Sequence, residues 1–290
     1  MRYFFYLMFL SLYLFARQFE AVVEVEEYDK NIVALGRELF GDPILSKDGT
    51  ISCLSCHFEY GADVTPRSFG VGGQEGEVNS LSVFNSSLNY FHHWSGDIPS
   101  LHEQFDNPVK SSIEMSSDEQ IIDKRLNASS KYKELFLKAY GEKPSYDLAK
   151  NAVVAFQETL VTPSRFDEFL LGKEELSKQE LRGFKYFKNY GCASCHNGRN
   201  LGGNSLQKFG AIIPRVVDGK EEGYFRVASL RNVAKTAPYF HDGSVGDLNE
   251  SIKLMGYHNL GTHLSTEEIE DIEAFLKTLT GKLPTTWSFE

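Results

Sequence analysis

The stretch GTISCLSCHFEYG, residues 49–61, sets Cys53, Cys56 and His57 in the spacing Cys-x-x-Cys-His. A second copy, Cys192, Cys195 and His196, lies in GCASCHNGRN, residues 191–200, and these are the chain's only four cysteines. Two thiols three positions apart on a helical turn reach the two vinyl groups of one porphyrin edge. The adjacent His then swings beneath the iron as an axial ligand, which is the chemistry of c-type haem attachment. Zinc, thiol redox chemistry and plain structural disulfides are the alternatives. Zinc held by paired knuckles takes four ligands, whereas the two motifs offer six. A redox Cys-x-x-Cys needs no His after the second Cys in both copies. Duplication and the lack of a spare thiol favour two haems.

Outward from the motifs, hydrophobic periodicity predicts a mainly α protein of two tandem cytochrome c-like modules. Residues 29–40 read as a helix ended by Gly41-Asp42-Pro43. Asp147 to Val161 carries Leu148, Ala152, Phe156 and Leu160 on one face, and Pro163 stops it. Ser177 and Glu180 form a capping-box pattern before Leu181, Phe184 and Phe187. Residues 247–256 place Leu248, Ile252 and Met255 together, and Ser265 with Glu268 opens a last helix ended by Gly281 and Pro284. Each half thus runs from a helix through a glycine-containing turn into Cys-x-x-Cys-His. The stretches 61–112 and 197–246 read as long irregular loops of the kind that wrap a functional group. The expected division is a signal peptide (1–16), a leader (17–28), a first haem domain (29–163) and a second (164–290), joined near Thr162-Pro163-Ser164.

The 290 residues, 41% hydrophobic and 24% charged, are ample for two packed cores. A formal net charge of -10 argues against a nucleic-acid partner, whose phosphates demand a basic footprint. The opening MRYFFYLMFLSLYLFA is one Arg followed by an apolar run, too short for a comfortable membrane span. It predicts export to a periplasm with cleavage after Ala16; an uncleaved anchor is the alternative. The acidic run Glu24 to Glu27 reads as a solvated leader.

An iron held by His needs its opposite position filled for electron transfer or open for a small molecule. Beyond the apolar leader only Met115 and Met255 are available. Met255, on an apolar helix face after His196, either lids that haem or fills the core.

The sequence resembles the bacterial di-haem cytochrome c peroxidases over about Leu35 to Thr280. The likeness rests on LGRELFGDPILSKDGTISCLSCH, SVFN, HWSGDIPSLHEQFDNPV with SIEM, GCASCHNGRNLGGN, FRVASLRNVAKTAPYFHDGSV, IKLMGYHNLG and DIEAFLKTLTG, in that order. It implies that His57 ligates a peroxidatic haem, and that His196 and Met255 ligate a high-potential electron-transfer haem. Trp94 matches a residue between the haems, and Gln104 and Glu114 match polar residues above the peroxidatic iron. Asn79, Thr236 and Pro238 match calcium ligands, the last two through backbone carbonyls. Expected partners are hydrogen peroxide, an electron-donor cytochrome c or similar redox protein, and a second copy of the chain in a homodimer. From the residues alone Glu114 is a solvated acid, Gln104 a surface amide and Trp94 packing. Arg226 and Arg231 suit haem propionates or, equally, ion pairs.

One departure matters. Many members of that family carry a His in the loop here written SFGVGGQEGEVNS, and it blocks the first iron in the oxidised resting enzyme. Val71 stands in its place. Valine cannot ligate iron, so the first haem is expected open without reductive activation. His92, His93 or Met115 would be a substitute ligand. Two other functions compete: a di-haem oxidase of the methylamine dehydrogenase maturation type, which uses Tyr where Met255 stands (Tyr257 is near), and a non-catalytic di-haem electron carrier.

Overall fold

The computed structural model describes residues 18–217 and 219–289. The apolar leader at 1–16 lies outside them. The helices are α1 (Lys30–Gly41), the single turn α2 (Cys53–Cys56), α3 (Leu101–Lys110), α4 (Glu119–Ala128), α5 (Ser130–Tyr140), α6 (Tyr146–Glu158), α7 (Arg165–Leu170), α8 (Lys178–Asn189), α9 (Leu248–Leu260) and α10 (Thr266–Lys277). Two small antiparallel pairs complete the fold, β1 (Leu206–Lys208) with β4 (Tyr224–Arg226), and β2 (Val216–Val217) with β3 (Lys220–Glu221). Among the described residues no helix is long and apolar enough to cross a membrane.

Two hydrophobic cores form, one from residues 33–160 and one from 166–279. Each is built on a crossed helix pair, α1 on α6 and α8 on α10. A glycine permits each crossing. A Cβ at Gly36 would lie 1.9 Å from the Ala152 carbonyl oxygen, and one at Gly183 would lie 1.8 Å from that of Asp271. Four residues beyond each glycine comes a phenylalanine, Phe40 or Phe187, whose ring sits 6.4 Å from that of the motif His, His57 or His196. The capping boxes at Ser177 and Ser265 are both closed.

The repeat extends through the loops. The same spacing separates Asn85 from Asn232, His93 from Phe240 and Gly96 from Gly243, all at positive φ. It also separates Ser100 from Asp247, the N-caps of α3 and α9. Asn85 and Asn232, both fully buried, each donate a side-chain hydrogen bond to the Thr162 hydroxyl, at 2.7 and 2.9 Å. The place where the halves were expected to meet is therefore a buried polar hub.

Several features differ from expectation. Helix α3 lies inside the stretch read as irregular; Ser100 caps it, Pro108 sits within it, and Leu101, Phe105 and Val109 bury its face. The leader is only partly solvated: Phe19 packs against Phe166 and Phe184, and Val22 is buried with its N–H 2.7 Å from Asp167 Oδ1. At the other end Trp287 and Phe289 pack on Phe40 and Phe156 in the first core. The two ends of the described chain thus each pack on the opposite half.

Candidate haem sites

The motif residues are disposed alike in both halves. None of the four cysteines is in a disulfide. His57 Nδ1 lies 3.0 Å from the Gly61 carbonyl, and His196 Nδ1 lies 3.3 Å from that of Leu201. A carbonyl at Nδ1 fixes the ring and the tautomer, leaving Nε2 as the metal-binding nitrogen. Burial lowers the pKa of both imidazoles, which keeps them neutral as a ligand must be. Burial also pushes the Cys53 thiol up to about 12 and that of Cys192 up to about 11. Such thiols carry little thiolate at neutral pH, which speaks against fast thiol–disulfide exchange.

In the second half His196, Cys192, Cys195 and Met255 line one largely apolar cavity. Phe187, Leu248, Ile252 and Leu276 supply apolar walls, and Arg226 faces the same space. Arg226 is 4% exposed; its Nε donates to the His93 carbonyl at 2.9 Å, while Nη1 is buried without a partner. Desolvation lowers its pKa to about 10, still cationic at neutral pH. A buried guanidinium with an idle N–H suits a carboxylate, as a haem propionate would supply. Arg231 differs. It too lines the cavity, but its guanidinium also holds Asp167, at 2.8 Å through both terminal nitrogens, and the Arg199 carbonyl. Both side chains of this ion pair are fully buried. Tyr257 does not line the cavity; its ring sits against His258 and His263.

In the first half the loop carrying Val71 meets the segment carrying Glu114. The Val71 N–H donates to the Glu114 carbonyl at 2.7 Å, and a Cβ at Gly70 would strike the backbone of Ile113 and Glu114. Glu114 is accessible to water, yet the protein packed around it desolvates its carboxyl and raises its pKa. Its charge adds to the larger effect of burial in raising both first-motif thiols, so it lies within electrostatic reach of them. Gln104, on α3, has its Oε1 buried without a hydrogen-bond partner. Met115 is a core residue at 3% exposure. His92 is buried with its pKa lowered to about 4 by desolvation, and His93 lies 3.6 Å from Asp97. The spacing that pairs Ser100 with Asp247 sets Met255 opposite Pro108, which has no ligating atom.

Trp94 connects the halves. Its indole N–H donates to the Asn79 carbonyl at 2.8 Å, and its ring meets Phe225 and His241 edge-on. Asn79, Thr236 and Pro238 share the cavity wall with it. The Asn79 amide nitrogen donates to the Thr65 carbonyl at 3.0 Å, so Oδ1 remains as its acceptor. With two backbone carbonyls this makes an all-oxygen set, which suits calcium. Sequence reasoning passed over Glu222, which is buried beside His241 and Asp242; no local pattern links positions twenty residues apart.

Comparison with known proteins gives one consistent picture. The family model for di-haem cytochrome c peroxidase matches residues 30–175. The cytochrome c551 peroxidase of Pseudomonas aeruginosa is 40% identical over 272 residues, covering 86% of this chain and 79% of that protein. The methylamine utilization protein MauG of Methylorubrum extorquens is 32% identical, covering 85% and 77%. Among solved structures, a MauG-like protein associated with microbial copper homeostasis superposes with a TM-score of 0.78 at 28% identity, covering 91% of this chain and 93% of that one. The diheme peroxidase BthA of Burkholderia thailandensis, at 20% identity and a TM-score of 0.72, shares the fold over 90% of each chain.

Proposed function

Because this chain belongs to the di-haem cytochrome c peroxidase family and is a peroxidase of that kind, we propose that it works in the periplasm. There it would reduce hydrogen peroxide to two waters with two protons and two electrons from a small c-type cytochrome or similar donor. Two haems, when bound, supply electron storage and an iron at which peroxide is cleaved. Cys53, Cys56 and His57 would hold one covalently; Cys192, Cys195, His196 and Met255 would hold and ligate the other. Arg226 would meet a propionate. Asn79, Thr236 and Pro238 would hold one calcium ion where the halves join, and Trp94, bonded to Asn79, would help couple them. A homodimer is the expected assembly.

Glu114 moves the proton. Its carboxylate takes a proton from the inner peroxide oxygen and returns it to the outer one, so that water can leave. Its raised pKa brings it nearer the working pH for that exchange. Gln104 positions the peroxide: Oε1 accepts from a peroxide O–H, and the amide N–H donates to the charge that develops.

The first site is open in the untreated oxidised protein, and the carrying observation is the contact between Val71 and Glu114. It sets the loop that carries Val71, a residue with no ligating atom, against the backbone of the segment that carries the proposed proton carrier. The position of Met255 on the cavity wall, with Tyr257 turned to His258 and His263, favours a peroxidase over a maturation-type oxidase. Peroxide turnover by the fully oxidised protein, measured with and without prior one-electron reduction, tests this. Equal initial rates are expected; activity only after reduction would overturn the open site.

A further inference from the structure

Glu222, His241 and Asp242 form a cluster that the peroxidase chemistry leaves unused. One oxygen or nitrogen from each lies within 4.8 Å of the others. Glu222 is 7% exposed. Its Oε2 and His241 Nδ1 are both buried, and neither has a hydrogen-bond partner. They stand 3.4 Å apart, about the separation of two ligands on one tetrahedral ion with bonds near 2.0–2.1 Å. Phe225, stacked on the His241 ring at 4.4 Å, fixes its plane.

The remaining contacts orient the cluster and leave these two atoms idle. Arg215 donates to Glu222 Oε1 at 2.9 Å and to Asp242 Oδ2 at 3.1 Å. Asp242 Oδ1 accepts from the Ser244 N–H and hydroxyl. Two carboxylates face one guanidinium, so with a neutral imidazole the cluster keeps a net negative charge. Desolvation raises the Glu222 carboxyl, as expected of a charge that is under-compensated.

We propose that Glu222 Oε2, His241 Nδ1 and the Asp242 carboxylate bind a divalent transition-metal ion, with zinc as the working probe. Mixed imidazole and carboxylate donors suit zinc and its first-row neighbours. This separates the site from the all-oxygen set at Asn79, Thr236 and Pro238, which suits calcium. Three protein ligands leave a fourth position for water. Glu222 follows the β2–β3 hairpin, whereas His241 and Asp242 belong to the turn closed by the Tyr239–Val245 bridge. The ion therefore clamps these two segments beside Trp94.

The test is zinc titration of the calcium-loaded di-haem protein against a chromophoric chelator, with anomalous difference maps on both sides of the zinc edge. One zinc per chain is expected, with a peak between Glu222 and His241. Glu222→Gln, which keeps the shape and the Arg215 contact, and His241→Gln should each weaken binding by about tenfold or more. Haem absorption spectra check that each variant is folded, and either variant suffices. No zinc bound, a peak elsewhere, or unchanged affinity in a folded variant overturns the site.

Discussion

Glu114 and Val71 meet through one backbone hydrogen bond, yet they answer separate questions: who moves the proton, and what blocks the iron. Replacing Glu114 by Gln keeps the shape and removes the proton carrier. Turnover should fall by about 10²–10⁴ with haem content unchanged, and steady-state kinetics beside a haem assay checks it. Asp167 and Arg231 form the most enclosed ion pair among the described residues. Burial raises the Asp167 carboxyl, but the hydrogen bonds and charge of Arg231, with the hydrogen bonds from Ser164 and the Val22 N–H, together outweigh it and hold the pKa below the usual value. A depressed folded pKa gives stability that is complete above the unfolded value, about 3.9. It is lost as the pH falls through the lower folded value. Asp167→Asn strands a buried guanidinium and should cost about 3–5 kcal/mol at neutral pH, with less further loss in acid, as denaturant melts across pH would show.

At the scale of elements, the two glycine crossings reverse a general rule. An exposed helical Gly→Ala change gains up to about 1 kcal/mol. At Gly36 or Gly183 the added methyl meets a backbone carbonyl that cannot move aside cheaply. Each substitution should cost at least about 1–3 kcal/mol and lower the Tm; an unchanged or raised Tm would mean that the helix pairs are not in this contact. These helices were legible because caps and periodicity are local: Asp29, Ser177 and Ser265 begin theirs as the sequence implies. Helices α3, α4, α5 and α7 were not. Helix α3 holds a proline, and α4 and α5 bury only Ile122 with Leu126, and Tyr132 with Phe136. Such short, sparse stripes do not stand out from loop sequence, and packing under the first core makes them helical.

Across the whole molecule, the paired motifs made the duplication legible, while the devices that join the halves are long-range. Thr162 with its two asparagines, Phe19 in the second core and Trp287 in the first are contacts between residues far apart in the chain. No pattern within a window of sequence encodes them. Met255 was legible as a candidate, but its place on the cavity wall with His196 appears only in three dimensions. Seen at this scale the halves are one frame used twice. The second puts Met255 into its cavity; the first carries Pro108 at the matching position and Val71 in the loop.

That asymmetry is the central claim, and low-temperature electron paramagnetic resonance of the untreated ferric protein tests it most directly. The account predicts one high-spin and one low-spin haem signal in equal amounts, with the high-spin signal perturbed on adding a small anionic ligand. Two low-spin signals, unchanged by that ligand until the protein is partly reduced, would contradict it.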